Sequence, residues 1–517
     1  MNKYLIALRQ PSSLWIPLLW FTAVQLLFIR NVDPVEYDEA IYMNVARSIR
    51  ETGVAWRPIA GGALYAEHTP LYQYLLGYLT MIVGENIFIG RFVTLLVAAF
   101  TIVLLYHFVW RITRSRLAAF CAAWLLAVAH FFALYSFFLR EEIVMSFFVL
   151  ASVYFLWMAQ ETGRERYIWF SSIVATMAVL TKELALIFWG VLGLYALITA
   201  DAWQQRLKQG LVYSLPMAVG LGMWVTWIGY HSPSRFQATV QRWLDSVAGT
   251  SAEAQASANL EVSRWGLDAL SWLQIVFNDL WGYGLLASLL LAGLFALLRK
   301  KWPPQIVWLA IGYLATAVAL SLFINLKEPR HLIATVPMAV LATVLLIDWR
   351  WVEARLQANP RLRLLSLLLL ILVTSHMWIW QLPTQGQFFL HAAWYRPKIA
   401  HRLFREAPYY SILRDAGQFV AQYVPPNRQI TVVHEGPVVA YYAARPYIFL
   451  YTLPFGGVQQ ALDETTYLVF DQPLFFHLTA EEVQQVMIRI HQEFELLSTV
   501  VDQHRTVDIF QRHSSFP

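Results

Sequence analysis

Five short polar stretches, set in a chain otherwise dominated by apolar runs, carry the residue types that chemistry needs. They are Asp38-Glu39, His68, Arg140-Glu141-Glu142, Lys182-Glu183 and Lys327-Glu328-Pro329-Arg330-His331. A positioned carboxylate can take a proton from a hydroxyl as that hydroxyl attacks. Lysine and arginine can hold an anion, and the planar arginine fork matches two oxygens of a phosphate. The set therefore suits a general base working beside an anionic ligand. Neighbouring residues on a helix do not share a face, so Asp38 and Glu39 are expected to play different parts.

Each stretch also has a plainer reading. Asp38 could cap the helix that starts at Glu39. Arg140 and Glu141 could form an interfacial pair that snorkels to water. Lys182-Glu183 could be a simple hairpin turn, Lys327 and Arg330 could anchor a helix end, and His68 could serve only the turn before Thr69-Pro70. No HxxxH or HExxH spacing occurs, so a histidine-based metal site is not supported by spacing. The carboxylates still permit a divalent cation, and its identity is unknown from sequence. His107, His130 and His376 lie in apolar runs and read as packed or interfacial side chains. The single cysteine, Cys121, rules out a disulfide within the chain and reads as a small buried apolar group.

What must position these residues is a membrane. The chain is 58% hydrophobic and 14% charged, against roughly 45–50% and about 25% for a soluble domain. The excess falls in runs of about 17–25 residues, the length that crosses a hydrocarbon core. Many of the 22 tryptophans sit near run ends, as an interfacial belt requires. The reading is an α-helical polytopic membrane protein. A net charge of +5 does not point to nucleic acid, because the basic residues cluster at loop ends.

Sidedness follows from the positive-inside rule. Lys3 and Arg9 precede a first, uncleaved span over 12–30 and are placed in the cytoplasm. The polar loop 31–87 is then outside. Within it, 39–50 reads as an amphipathic helix with Ile41, Val45 and Ile49 on one face, and 71–83 as a surface or re-entrant helix too short to cross. Spans follow over 88–110, 117–138 and 143–160. The run 167–199 holds Lys182 and Glu183 at its middle. One crossing would leave charge at the bilayer centre, so two short crossings are expected, with both charges at the outer surface. Further spans are read over 210–230, 281–298, 304–324, 332–348 and 363–382, about eleven in all by length and hydropathy. The loop 231–280, rich in Ser and Ala over 246–258, is read as outside and mobile.

Composition changes near residue 385. RQITVVHEG and TTYLVFDQ read as strands, AGQFVAQYV and AEEVQQVMIRIHQEF as helices. The expected organisation is a membrane domain over 1–384 with the outer catalytic loop 31–87, and a small α/β extracytoplasmic domain over 385–517. No repeat, GxGxxG or Walker loop appears, which speaks against ATP-driven transport and a soluble-type nucleotide-sugar site.

YDEAIYMNVARSI, HTPLYQYLLGYL, GRFVTLLVAAFTIVLLY, LREEIVMSFFVLASVYFL, LTKELAL and KEPRHLIATVPMAVLA, in this order, resemble the successive motifs of GT-C membrane glycosyltransferases. The branch resembled holds the protein O-mannosyltransferases and the bacterial lipid A 4-amino-4-deoxy-L-arabinose transferases. The likeness covers roughly residues 12–350. It implies a polyprenyl-phosphate sugar donor, a lipid, glycan or protein acceptor, surrounding membrane lipids, and a multi-pass enzyme of the plasma (inner) membrane working on the outer side. It also implies that Asp38 serves the acceptor hydroxyl, with Glu39 as the acidic residue after it. His68 stands where the family has Lys or His before Pro-Pro-Leu, although the turn here reads Thr-Pro-Leu. Arg140-Glu141 matches a basic-acidic motif, often Arg-Asp in relatives, and Lys182 a Thr-Lys turn. Lys327 and Arg330 match the basic pair where the donor phosphate is expected, and His331 replaces an aromatic residue. The competing readings are a transporter or flippase of lipid-linked saccharides, and a ligase or polymerase of lipid-linked glycans. A transporter would line a path to both faces, whereas the polar sets are read on one.

Overall fold

The computed structural model describes residues 12–30, 37–57, 63–65, 68–199, 202–233, 237, 241, 282–298, 304–323, 329–359, 361–362, 408–451, 453–471, 478–501 and 506–513. The expected span over 363–382 and nearly all of the 231–280 loop lie outside these residues. In chain order the elements are α1 (Ser12–Arg30), α2 (Tyr37–Thr52), the two-residue strands β1 (Trp56–Arg57) and β2 (Ala63–Leu64), α3 (Leu71–Val83), α4 (Ile87–Thr113), α5 (Arg116–Val128) and α6 (His130–Tyr135). Then come α7 (Glu141–Thr162), α8 (Arg166–Thr181), α9 (Ala185–Thr199), α10 (Trp203–His231), α11 (Gly282–Leu298), α12 (Gln305–Phe323), a 3-10 turn (Pro329–Leu332), α13 (Thr335–Leu345) and α14 (Trp349–Ala358). The last part holds α15 (Pro408–Tyr423), β3 (Ile430–Val432), α16 (Gly436–Ala443), β4 (Tyr447–Phe449), α17 (Phe455–Glu464), β5 (Tyr467–Phe470), α18 (Ala480–Glu493), β6 (Phe494–Val501) and β7 (Thr506–Arg512).

Two compact units result: Met1–Ile29, His68–Tyr72 and Gly90–Pro397 form one; Arg30–Glu67, Gln73–Ile89 and Lys398–Pro517 form the other.

The first unit is built of apolar helices. α4, α7 and α10 are each long and apolar enough to cross a bilayer, and α13 with α14 passes the same test as one pair bent by 62°. The other apolar helices of this unit, such as α5, α8, α9 and α12, are shorter, so length and composition alone do not establish about eleven crossings. Large apolar side chains point outward, among them Phe92 and Phe100 on α4, Leu194 and Ile198 on α9, and Leu291 and Leu297 on α11. A water-soluble protein rarely leaves so much apolar surface uncovered; lipid is the solvent these faces fit. Every residue of α13 is buried, and it packs against α5, α7, α11 and α12.

α7 and α8 lie together through small hydroxyl residues. Ser152 Oγ donates to the Ser171 carbonyl at 2.8 Å, Ser171 Oγ donates back to the Ser152 carbonyl at 2.9 Å, and the Tyr213 hydroxyl of α10 donates to Ser171 Oγ at 3.0 Å. Small side chains let backbones approach, and hydroxyls supply the attraction that apolar contact cannot supply in lipid. α7 ends where Gly163 turns left-handed at φ 65° and its N–H closes on the Ala159 carbonyl at 2.8 Å.

Three boundaries differ from the sequence expectation. The run 117–138 is two helices, because Ala129 is extended (φ −64°, ψ 114°) between α5 and α6. α10 starts at Trp203, so WQQRLKQ, read as a loop, is its first two turns; Gln, Arg, Leu and Lys are good helix formers and carry the helix beyond the apolar run. The run 332–348 holds a 3-10 turn, α13 and then a sharp bend into α14, where the Asp348 carboxylate accepts from the Trp351 N–H at 3.4 Å. The break in 167–199 falls at Lys182–Leu184, as expected from the cost of a charge at mid-membrane.

The second unit holds a five-stranded sheet of order β4-β3-β5-β7-β6. β3 runs parallel to β4 and β5, whereas β7 is antiparallel to both β5 and β6. Val433, Leu450, Val458, Leu468, Ile490 and Phe494 are among its fully covered core. The Asp471 carboxylate continues the β3–β5 seam past the last paired residues, accepting from the N–H groups of His434 at 2.9 Å and Glu435 at 2.7 Å. Burial pushes this carboxyl up to about 6. α16 packs on α15, where Gly417 leaves no room for a Cβ: one would stand 2.7 Å from Tyr442 Cβ. α2, with β1 and β2, belongs to this same unit and packs on α16.

Candidate active site

In the first unit, three breaks in helix bring five of the polar side chains together. The Lys182 break between α8 and α9 is extended (φ −153°, ψ 128°), with its N–H bonded to the Ala178 carbonyl at 3.0 Å. Arg140 is extended at the start of α7 (φ −135°, ψ 122°) and sets Glu141 and Glu142 in that helix's first turn, where the exposed N–H groups of the helix favour negative charge. The turn at His68-Thr69 is fixed by the Thr69 hydroxyl, which donates to the Val179 carbonyl near the end of α8 at 2.8 Å.

The centre of the cluster is Lys182. Its Nζ donates to Glu141 Oε1 at 2.8 Å and to Glu142 Oε1 at 2.7 Å. Both carboxylates are fully buried, and Lys182 is 2% exposed. His68 Nδ1 lies 3.0 Å from Glu183 Oε1 and 3.9 Å from Glu141 Oε1. Burial opposes a charged imidazole at His68, but the Glu141 and Glu183 carboxylates outweigh it and raise the group to about 9. Burial likewise opposes a charged Glu183; the His68 imidazolium and its hydrogen bond outweigh it and bring that carboxyl down to about 2. Arg140, fully buried, places its guanidinium 5.5 Å from the Tyr135 ring centre and 5.8 Å from that of Phe138, within cation–π range.

With His68 charged, the cations Arg140, Lys182 and His68 balance the carboxylates Glu141, Glu142 and Glu183. A charge-balanced, hydrogen-bonded set is the form in which buried charges are tolerated. Lys182 uses two of its three N–H donors on carboxylates, which makes it a fixed tie between α7 and the α8–α9 turn. Glu142 and Glu183 enter the cluster as fully as the residues singled out from sequence. Their signal was adjacency to Glu141 and Lys182, and nothing in the spacing chose between neighbours.

Among the described residues, no group of three or more His, Cys, Asp or Glu side chains is arranged to hold a metal ion.

Asp38 and Glu39 are in the first turn of α2, in the second unit; Glu39 is fully buried and Asp38 half-buried. The backbone of Arg330 is in the 3-10 turn Pro329–Leu332. Lys327 is outside the described residues.

Residues 67–230 match the model of a family described as dolichyl-phosphate-mannose-protein mannosyltransferase. That segment contains α3 to α10 and every residue of the buried cluster. A curated relative, an uncharacterized protein of Aquifex aeolicus (strain VF5), is 27% identical over 174 residues, and the chain spans about a third of that relative's length (35%). Among solved structures, ArnT from Cupriavidus metallidurans bound to undecaprenyl phosphate matches over 97% of this chain and 98% of its own, with a TM-score of 0.64 at 13% identity. The Archaeoglobus fulgidus oligosaccharyltransferase in complex with zinc and sulfate matches over 89% of this chain and 68% of its own, with a TM-score of 0.53 at 13% identity. The chain has the GT-C fold of these solved proteins, and its residues 67–230 resemble the protein mannosyltransferase family.

Proposed function

We propose that this GT-C-fold chain is an integral membrane glycosyltransferase that moves a sugar from a polyprenyl-phosphate carrier to an acceptor hydroxyl on the outer face of the plasma (inner) membrane, with inversion at the anomeric carbon. One observation carries the reading: the buried, ion-paired cluster of His68, Glu141, Glu142, Lys182 and Glu183. It is assembled at the ends of apolar helices, in the fold of a protein solved with undecaprenyl phosphate. The domain division at residue 385 and a total of about eleven crossings by span length belong to the same proposal.

In this reading the polyprenyl tail lies among the lipid-facing helices and the phosphate stays at the membrane surface. Arg330 and Lys327 hold the phosphate, since a focused positive charge at a developing anion is usually the largest single catalytic contribution. Lys182 and its carboxylates fix the α7 start, the α8–α9 turn and the His68 turn relative to one another. The acceptor oxygen forms a bond to the anomeric carbon as the bond from that carbon to the phosphate oxygen breaks. The bonding pair leaves on the phosphate, and the acceptor proton passes to Asp38. Attack from the face opposite the leaving phosphate inverts the centre. Glu39, one residue on and on another face of α2, orients Asp38 or the acceptor. Lipid, glycan and protein hydroxyls are all acceptors of the right chemistry.

The stereochemistry tests the reading. The purified protein, given a donor of known anomeric configuration, should release polyprenyl phosphate and form a product of opposite configuration by NMR. Retained configuration would remove the single displacement, and release of free sugar into water with no acceptor product would remove the transfer.

A further inference from the structure

The second unit joins α2, in the outer loop, to a helix almost 400 residues further along the chain. Asn44 and Arg47, three apart, share one face of α2. Asn44 Nδ2 donates to the Pro437 carbonyl of α16 at 3.1 Å, and one Arg47 terminal nitrogen donates to the Tyr441 carbonyl at 3.2 Å. The Arg47 guanidinium also lies 5.6 Å from the Tyr441 ring centre. Its Nε reaches both Glu85 oxygens at 3.0 Å, a terminal nitrogen adds a further bond to Glu85, and Arg50 meets Glu85 at 3.2 Å. These groups are shielded: Asn44 is 3% exposed, and the Arg47 and Glu85 side chains are 19% and 16% exposed. On another face, Ile49 of α2 sits against Gly77 of α3 so closely that a Cβ at 77 would stand 2.6 Å away. α2 is thus held between α3 and α16, with the arginine fork closing the arrangement.

We infer that Asn44, Arg47 and Glu85 are positioning residues, through which the C-terminal α/β layer sets the angle of the helix that carries Asp38. The inference rests on the proposed role of Asp38. Arg47 is nine residues from Asp38, about 13.5 Å along the helix axis. A tilt of about 5° at Arg47 would therefore displace the Asp38 backbone by about 1.2 Å, and a misplacement of about 1 Å can cost on the order of 10²-fold in rate. The clamp contacts no sugar or phosphate in this scheme, so its loss should affect kcat and leave donor binding alone.

The test uses the full chain in lipid nanodiscs with a polyprenyl-phosphate sugar donor. Arg47→Ala should lower kcat by about 10- to 100-fold with the donor KM within about twofold. Glu85→Gln should do the same to a lesser degree. Arg47→Lys, which keeps the charge and loses the fork, should recover part of the rate. Backbone hydrogen exchange over 38–46 should quicken in Arg47→Ala and in Glu85→Gln. Val458→Ala, in the core of the α/β layer, serves as the control: it should lower thermal stability yet leave kcat and α2 exchange as in wild type. Unchanged exchange in α2 in both clamp variants would overturn the inference. So would a kcat loss that Val458→Ala reproduces at equal loss of stability. If wild type transfers nothing, the proposed function fails, and the exchange measurement still decides whether the clamp exists.

Discussion

Replacing Lys182 by Met removes the ammonium that both Glu141 and Glu142 accept from, at 2.8 and 2.7 Å, and leaves two fully buried carboxylates side by side. Removing one partner of a buried ion pair costs about 3–5 kcal/mol. A second route to the magnitude starts from the escape open to the folded variant, which is to take up one proton. From an ordinary glutamate value of about 4.3, binding a proton at pH 7 costs about 3.7 kcal/mol at about 1.4 kcal/mol per pH unit. The two figures agree, so a loss of about 3–4 kcal/mol is expected at pH 7. The same argument fixes the pH dependence. A folded variant that holds one more proton than its unfolded chain gains stability as pH falls, by about 1.4 kcal/mol per unit. The deficit should shrink by roughly 2.7 kcal/mol between pH 7 and pH 5. Adding Glu142→Gln to Lys182→Met removes one charge of each sign, leaves Arg140 and His68 balanced by Glu141 and Glu183, and should return stability to within about 1 kcal/mol of wild type, since buried ion pairs are near break-even against neutral replacements. Equilibrium unfolding in mixed micelles at pH 5, 6 and 7 measures all of this. A loss under about 1 kcal/mol for Lys182→Met, the same at every pH, would mean that the buried triad does not exist.

Two other predictions are independent of that cluster's centre or of the first unit altogether. In Glu183→Gln the His68 imidazole should titrate well below its value of about 9, as followed by NMR of the ring. The His68 contribution to stability is complete below the ordinary imidazole value of 6.5 and disappears as pH rises through about 9. The Glu183 contribution is complete above 4.5 and disappears as pH falls through about 2. The stability difference between wild type and Glu183→Gln should therefore be greatest between pH 4.5 and 6.5, and a difference that grows above pH 9 would contradict the pairing. Gly77→Ala should cost about 1–3 kcal/mol by overpacking, because the new Cβ would stand 2.6 Å from Ile49 Cγ2 and 2.7 Å from its Cβ. Thermal unfolding reads this, and Ile49→Ala in the same chain should restore part of the loss.

The parts legible in the sequence were those governed by local periodicity or by the cost of a charge in lipid. α2 and α3 followed from their apolar faces, and the α8–α9 turn from the expense of Lys182 at mid-membrane. The β3 and β5 strands and the α15 and α18 helices were visible as alternating or 3.6-period segments. The break at Ala129 was not visible, because no proline or glycine marks it and Leu126 to Phe132 is uniformly apolar or histidine. β6 and β7 pair along nearly their whole length, yet β6 presents polar and apolar residues to solvent alike, which blurs the alternation that would reveal a strand. In the cluster, residue types were readable and partners were not. The bond from Lys182 to Glu142 joins positions 40 apart, and the tie from Arg47 to Tyr441 joins positions 394 apart. Such pairings are properties of packing, and no local pattern encodes them.

The central claim is transfer from a lipid-linked donor with Asp38 as base. The measurement that tests it most directly is transfer from a panel of radiolabelled polyprenyl-phosphate sugars by the purified protein in nanodiscs, with added membrane or cell-wall extract, wild type beside Asp38→Asn. Label from one donor should move into the acceptor fraction. In Asp38→Asn the rate should fall by about 10²- to 10⁴-fold, while donor binding and thermal stability stay at wild-type values. Donor binding without transfer, equal in the two proteins, would contradict the account and favour a carrier of lipid-linked saccharides.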